Sequence, residues 1–163
     1  MKKQNFLNKL KGEDKLKLVE PSEEMKLSYI LKAENCLKSA KILLQNKLYE
    51  NSTSEAYYCM YNSLLALLFI VGIKSENHSA SIILLKKLFG EENLYKIISF
   101  AKEERIDKQY YIESQQTIKV DKESCNNIIL KAEDFLIKIR LLINQLNNEK
   151  INQPYTNNRN ERV

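Results

Sequence analysis

Apolar residues recur at helical spacing along most of the chain. Ile30, Ala33, Leu37, Ala40, Leu44 and Leu48 follow one another at intervals of three and four, which predicts one long helix with a single buried stripe. Pro21, Ser22, Glu23 and Glu24 precede it. Ser22 is the predicted N-cap, and the two acids face the positive end of the helix dipole. A second start is read at Ser52, with Glu55 at capping-box spacing. From residue 56 to residue 71 nearly every face is apolar, and Gly72 supplies the stop. The pattern predicts a central helix with apolar surface left over for a second subunit.

Residues 73–78 read as a polar loop, and Ser79 or Ser81 as the start of a short third helix ending at Gly90. A fourth helix begins at Glu91 and Glu92, carries Leu94, Ile97, Ile98 and Ala101, and runs towards Tyr110. Residues 112–120 read as a polar connection. Asp121 opens a last long helix whose stripe is Ile128, Ala132, Phe135, Ile139, Leu142 and Leu146. No strand pattern and no repeat stands out. Short connections imply antiparallel neighbours, hence an all-α, up-and-down bundle of four to five helices. Residues 1–20 form a basic lead, either a late-docking short helix or a mobile arm; residues 21–147 form the helical domain, and residues 148–163 are expected to be a disordered polar tail.

Composition narrows the function classes. Three glycines and two prolines in 163 residues are too few for a sandwich, a barrel or a Rossmann unit. Lysine and arginine total 26 against 21 acids, a net +5 that permits contact with RNA without demanding it. Arg105, Arg140, Arg159 and Arg162 are the arginines, few for base readout. Cys36, Cys59 and Cys125 each sit in an apolar helical pattern, as buried free thiols of a cytoplasmic protein do. A single histidine and no CxxC argue against a metal site. The first residues lack the apolar core of a secretory signal. The longest apolar run, residues 64–71, falls far short of the ~20 residues that cross a membrane.

The search for catalytic motifs finds no GxGxxG, no P-loop and no HExxH. His78 is the only histidine. Cys59 lies early on the apolar helix and His78 beyond its far end, so the two are not expected to pair. The acid pairs Glu23/Glu24, Glu91/Glu92 and Glu103/Glu104 read as helix starts or solvated neighbours. The densest polar-aromatic cluster is Glu55, Tyr57, Tyr58, Tyr61 and Asn62. Positions 55, 58 and 62 share a helical face. They are either buried groups with local partners or a polar strip lining a groove.

Residues 56–68, AYYCMYNSLLALL, followed by Gly72 and by SENH at 75–78, resemble the HEPN domain (higher eukaryotes and prokaryotes nucleotide-binding). RIDKQY at 105–110 is similar to the Arg-x-x-Ala-Asp-Tyr segment of that family, with Gln109 in place of Asp. AEDFLIK at 132–138 is similar to its closing Ala-x-x-Phe helix. The resemblance covers roughly residues 25–145. It implies a helical bundle, a homodimer, and frequent pairing with a minimal nucleotidyltransferase in toxin–antitoxin-like systems. It also implies that active members are metal-independent ribonucleases with an Arg-x4–6-His motif. In that motif Arg stabilises phosphate charge and His moves the proton of the 2′-hydroxyl.

Related sequences read RAYYAMFH over this stretch. Here Glu55 stands where the Arg would be, and Asn62 where the His would be. A carboxylate repels phosphate, and an amide is neither acid nor base near pH 7. The leading expectation is therefore a non-catalytic interaction module, partner of a minimal nucleotidyltransferase, needing no cofactor. The alternative is a ribonuclease toxin with a divergent set. The candidate groove residues are Glu55, Tyr58, Asn62, His78, Arg105 and Tyr110.

Overall fold

The computed structural model describes residues 2–13, 15–110 and 121–152. Among the described residues six helices carry the fold: α1 Lys2–Gly12, α2 Glu23–Gln45, α3 Tyr49–Ile70, α4 His78–Leu84, α5 Glu92–Tyr110 and α6 Lys122–Asn152. A π-helical turn, Leu85–Phe89, extends α4. Two short strands, β1 Lys17–Leu18 and β2 Ile73–Lys74, pair antiparallel. The all-α bundle predicted from periodicity is the observed architecture. The predicted connection 112–120 lies outside the described residues. α6 runs on to Asn152, into the start of the segment expected to be a tail, and residues 153–163 lie outside the described residues.

α3 is the axis. It packs against α2, α4, α5 and α6, and Ala56, Tyr57, Cys59, Met60, Leu64, Ala66, Leu67 and Leu68 are fully buried. The apolar surplus expected to seek a second subunit is thus covered within the chain. Exposed aliphatics lie instead on α2 (Leu27, Leu31, Ile42) and on α6 (Leu130, Ile137, Leu141). Between these two helices Lys41 pairs with Glu133 at 2.5 Å, and Arg140 pairs with Glu34. Both pairs are exposed, so each adds little stability.

The caps explain most boundaries. Ser22 caps α2 as predicted: its backbone is extended, and its Oγ accepts from the Met25 amide at 3.1 Å. Ser52 does not cap α3, which starts at Tyr49 with Leu48 as N-cap and no side-chain cap. Lys47 takes a left-handed conformation, φ 61°, and the Leu48 amide bonds to the Leu43 carbonyl. The turn closes at once, so Ser52 already lies inside the helix. Its hydroxyl donates instead to the Ala40 carbonyl at 2.7 Å, where α2 and α3 approach closely. Asn77, rather than Ser79 or Ser81, caps α4, accepting from the Ala80 amide at 2.9 Å.

The lead is stitched to the body. Leu10 and Leu16 are buried, and Leu18 pairs with the buried Ile73. The Val19 amide donates to the Gly72 carbonyl at 2.9 Å, and Ser75 Oγ donates to the Lys15 carbonyl at 2.8 Å. The first two residues of the segment read as a polar loop are therefore ladder; two-residue strands are too short to leave a period-2 signal. Gly72 has φ 72°, and a Cβ there would meet the Val19 carbonyl oxygen at 2.5 Å. Only glycine fits. The turn it makes returns the chain so that His78 lies against α3.

Candidate functional site

Residues of α3 point to two different places. Glu55 and Asn62 face α2. Asn62 Nδ2 donates to the Tyr58 carbonyl at 2.8 Å and contacts Cys36 Sγ at 3.7 Å. Burial pushes the Cys36 thiol up to about 11, and the neighbouring Glu55 carboxylate adds to the rise. This corner is half-buried and its polar groups serve one another.

Tyr57 and Tyr61, one turn apart, face α4 and α5. His78 is the first residue of α4. Its Nδ1 lies 2.6 Å from Tyr57 Oη, and its ring stacks on Tyr61 at 3.8 Å between centroids, 11° between planes. Tyr61 Oη is 3.4 Å from Ser81 Oγ. Burial raises the Tyr57 phenol far above its usual range, so it stays protonated. Burial lowers the pKa of His78, and the positive charges of Arg105 and Lys102 lower it further. His78 is therefore neutral at pH 7, with Nδ1 engaged and Nε2 left as the nitrogen that can exchange a proton.

Arg105, on α5, completes the cluster. Its guanidinium carbon lies 5.1 Å from the ring centroids of both Tyr57 and Tyr58. Nη1 donates to Tyr58 Oη at 2.5 Å. Its Nε is buried without a hydrogen-bond partner among the described residues. Two aromatic faces thus hold a cation whose donors are not all satisfied. Beside it, Lys102 Nζ donates to Ser79 Oγ at 2.7 Å. A fixed guanidinium next to a neutral imidazole suits an anionic, proton-exchanging ligand such as a phosphodiester.

Of the predicted set, Tyr58, His78 and Arg105 meet around Tyr57. Glu55 and Asn62 do not join them, although 55, 58 and 62 share a helical face: Tyr58 lies at the edge of that face, and its long side chain crosses to α5. Tyr110 belongs to α5, but its side chain lies outside the described residues. The set missed Tyr57, Tyr61 and Lys102. The signal was present, because 57 and 61 are four apart and lie away from 55 and 62.

The thiols take no part. Cys59 Sγ points to the Ala132 carbonyl on α6, and Cys125 Sγ to that of Tyr49. All three cysteines are free, Cys59 and Cys125 buried and Cys36 half-buried. Among the described residues no group of His, Cys, Asp and Glu is placed to hold a metal ion. No described helix is long and apolar enough to cross a membrane.

Residues 27–144 match the family profile described as HEPN domain. The chain belongs to the HEPN domain family. Among its relatives is a protein of Methanocaldococcus jannaschii named "Putative toxin MJ0605", 32% identical over 70% of this chain and 85% of the relative. A "UPF0332 protein" of Thermotoga maritima is 29% identical over 71% of this chain and 88% of its own length. A third, "UPF0332 protein PH1297" of Pyrococcus horikoshii, is 29% identical over 65% and 69%. The matched span of this HEPN chain contains α3, α4 and α5, and with them His78, Tyr57, Tyr58 and Arg105.

Proposed function

We propose that this chain is the toxin-type HEPN member of a cytoplasmic toxin–antitoxin pair, and that the His78–Tyr57–Tyr58–Arg105 cluster acts on an RNA phosphodiester. The observation that carries this reading is His78, held by Tyr57 at 2.6 Å, beside the Arg105 guanidinium stacked on Tyr57 and Tyr58. The name of the Methanocaldococcus relative supports it.

In this reading His78 is the Nδ1–H tautomer, donating to Tyr57 Oη, and its unprotonated Nε2 takes the proton of the 2′-hydroxyl. The 2′-oxygen bonds to phosphorus while the bond to the 5′-oxygen breaks, and that oxygen leaves with a proton from water. Arg105 neutralises the charge on the non-bridging oxygens, and His78 returns its proton to solvent. A 2′,3′-cyclic phosphate and a 5′-hydroxyl remain. No metal enters.

The test is growth on induced expression. The parent chain arrests growth, and His78→Ala and Arg105→Gln relieve the arrest at equal protein level. Arrest that persists in both variants contradicts the assignment.

A second reading keeps the chain non-catalytic, an interaction module for a minimal nucleotidyltransferase. It is favoured by Glu55 and Asn62, which stand at the motif positions and are turned towards Cys36. Harmless expression together with a stable complex with such a partner selects it. In either reading we propose a homodimer formed through the exposed aliphatics of α2 and α6. Light scattering gives twice the monomer mass for the parent and the monomer mass for Ile137→Glu; a monomeric parent removes the dimer.

A further inference from the structure

A groove runs between α4 and α5 next to the cluster. Ser79, Ile82 and Ile83 line one side, and Tyr95, Ser99 and Lys102 the other, around a cavity of about 290 Å³. That is near the small end of the ligand-pocket range of roughly 300–1,000 Å³, room for one heterocycle. Glu103 lies on its rim.

The groove and the cluster are neighbours. Ser79 follows His78 in the chain, Lys102 is one helical turn before Arg105, and the two are joined by the 2.7 Å hydrogen bond across the junction. The charge of Lys102 reaches His78. An RNA strand with one phosphate at Arg105 therefore meets a second cation at the mouth of the groove.

We infer that the groove is the base subsite of this chain, taking a single-stranded RNA nucleobase that carries an exocyclic amino group. This rests on the reading of the cluster as a phosphodiester site. The half-buried Tyr95 ring offers a stacking face, and Ile82 and Ile83 enclose the base edge. The Glu103 carboxylate accepts from the amino group, as acids do towards cytosine N4. Uracil has no such group and leaves Glu103 without its donor. Tyr95 has a further cation near it: Lys86 Nζ lies 5.7 Å from its centroid.

The experiment is fluorescence anisotropy with labelled 2′-O-methyl oligoadenylate and oligouridylate of equal length. Neither can be cut, because the 2′-oxygen is blocked. The parent binds oligoadenylate more tightly. Arg105→Gln weakens both oligomers. Tyr95→Leu, which removes the ring, and Ser99→Trp, which fills the groove, weaken oligoadenylate about tenfold, the loss expected for one stacked base. Tyr95→Phe retains binding and shows that the ring, not the fold, is responsible.

If Arg105→Gln weakens binding while Tyr95→Leu and Ser99→Trp bind like the parent, the groove is not the subsite and the phosphodiester reading stands. Equal affinity for the two oligomers overturns the amino-base preference. If the parent binds neither oligomer, or Arg105→Gln changes nothing, the phosphodiester reading fails and the subsite with it.

Discussion

The two sides of α3 carry polar groups of similar kind put to different use. Towards α2, Glu55 and Asn62 both contact Cys36, and Ser52 closes on the Ala40 carbonyl. Towards α4 and α5, Tyr57, Tyr58 and Tyr61 hold His78 and Arg105, and the guanidinium keeps a buried Nε without a partner among the described residues. The first side is a joint between helices. The second has the positive field of Arg105 and Lys102 at His78 that an anionic ligand requires. A polar cluster on a buried helix marks a site only where its groups are not already satisfied by one another.

The contrast depends most on Gly72, whose turn brings His78 back to α3. Gly72→Ala places a Cβ 2.5 Å from the Val19 carbonyl oxygen at a left-handed φ. Urea unfolding is expected to show a loss of roughly 2–4 kcal/mol, from backbone strain plus displacement of β1. A loss under ~0.5 kcal/mol would mean that the turn does not fix the open side.

A smaller effect sharpens the comparison through pH. The folded-state pKa of His78 lies below the ordinary 6.5. The unfolded chain therefore binds more protons at this residue, and stability rises with pH in that window. The contribution is complete above about 6.5 and is lost as pH falls towards the folded value. His78→Gln is expected to flatten this part of the stability–pH curve, while Asn62→Ala leaves the slope in place. An unchanged slope in His78→Gln would place the titrating group elsewhere.

Much of the fold was legible because helical periodicity is a long-range signal. The stripes of α2 and α6, the Ser22 cap and the stops at Gly72 and Gly90 all read directly from spacing. The start of α3 misled because Ser52 has the chemistry of a cap and is used as a bridge between helices. The β1–β2 pairing left no period to detect. The site was legible in part. Tyr58, His78 and Arg105 were named, but which of them meet depends on the Gly72 turn and on how α5 docks, and neither is encoded locally. Glu55 and Asn62 were grouped with them because angular position on a helix says which way a Cβ points, not where a long side chain ends.

Cleavage of a single-stranded RNA in excess chelator compares the two sides most directly. The account predicts metal-independent cutting that leaves 2′,3′-cyclic phosphate ends. It predicts a fall of about 10²–10⁴-fold in His78→Ala, the usual cost of a positioned acid or base. It predicts a comparable fall in Arg105→Gln and near-parental rates in Asn62→Ala. Cutting that survives His78→Ala and Arg105→Gln, or that is lost only in Asn62→Ala, would contradict it.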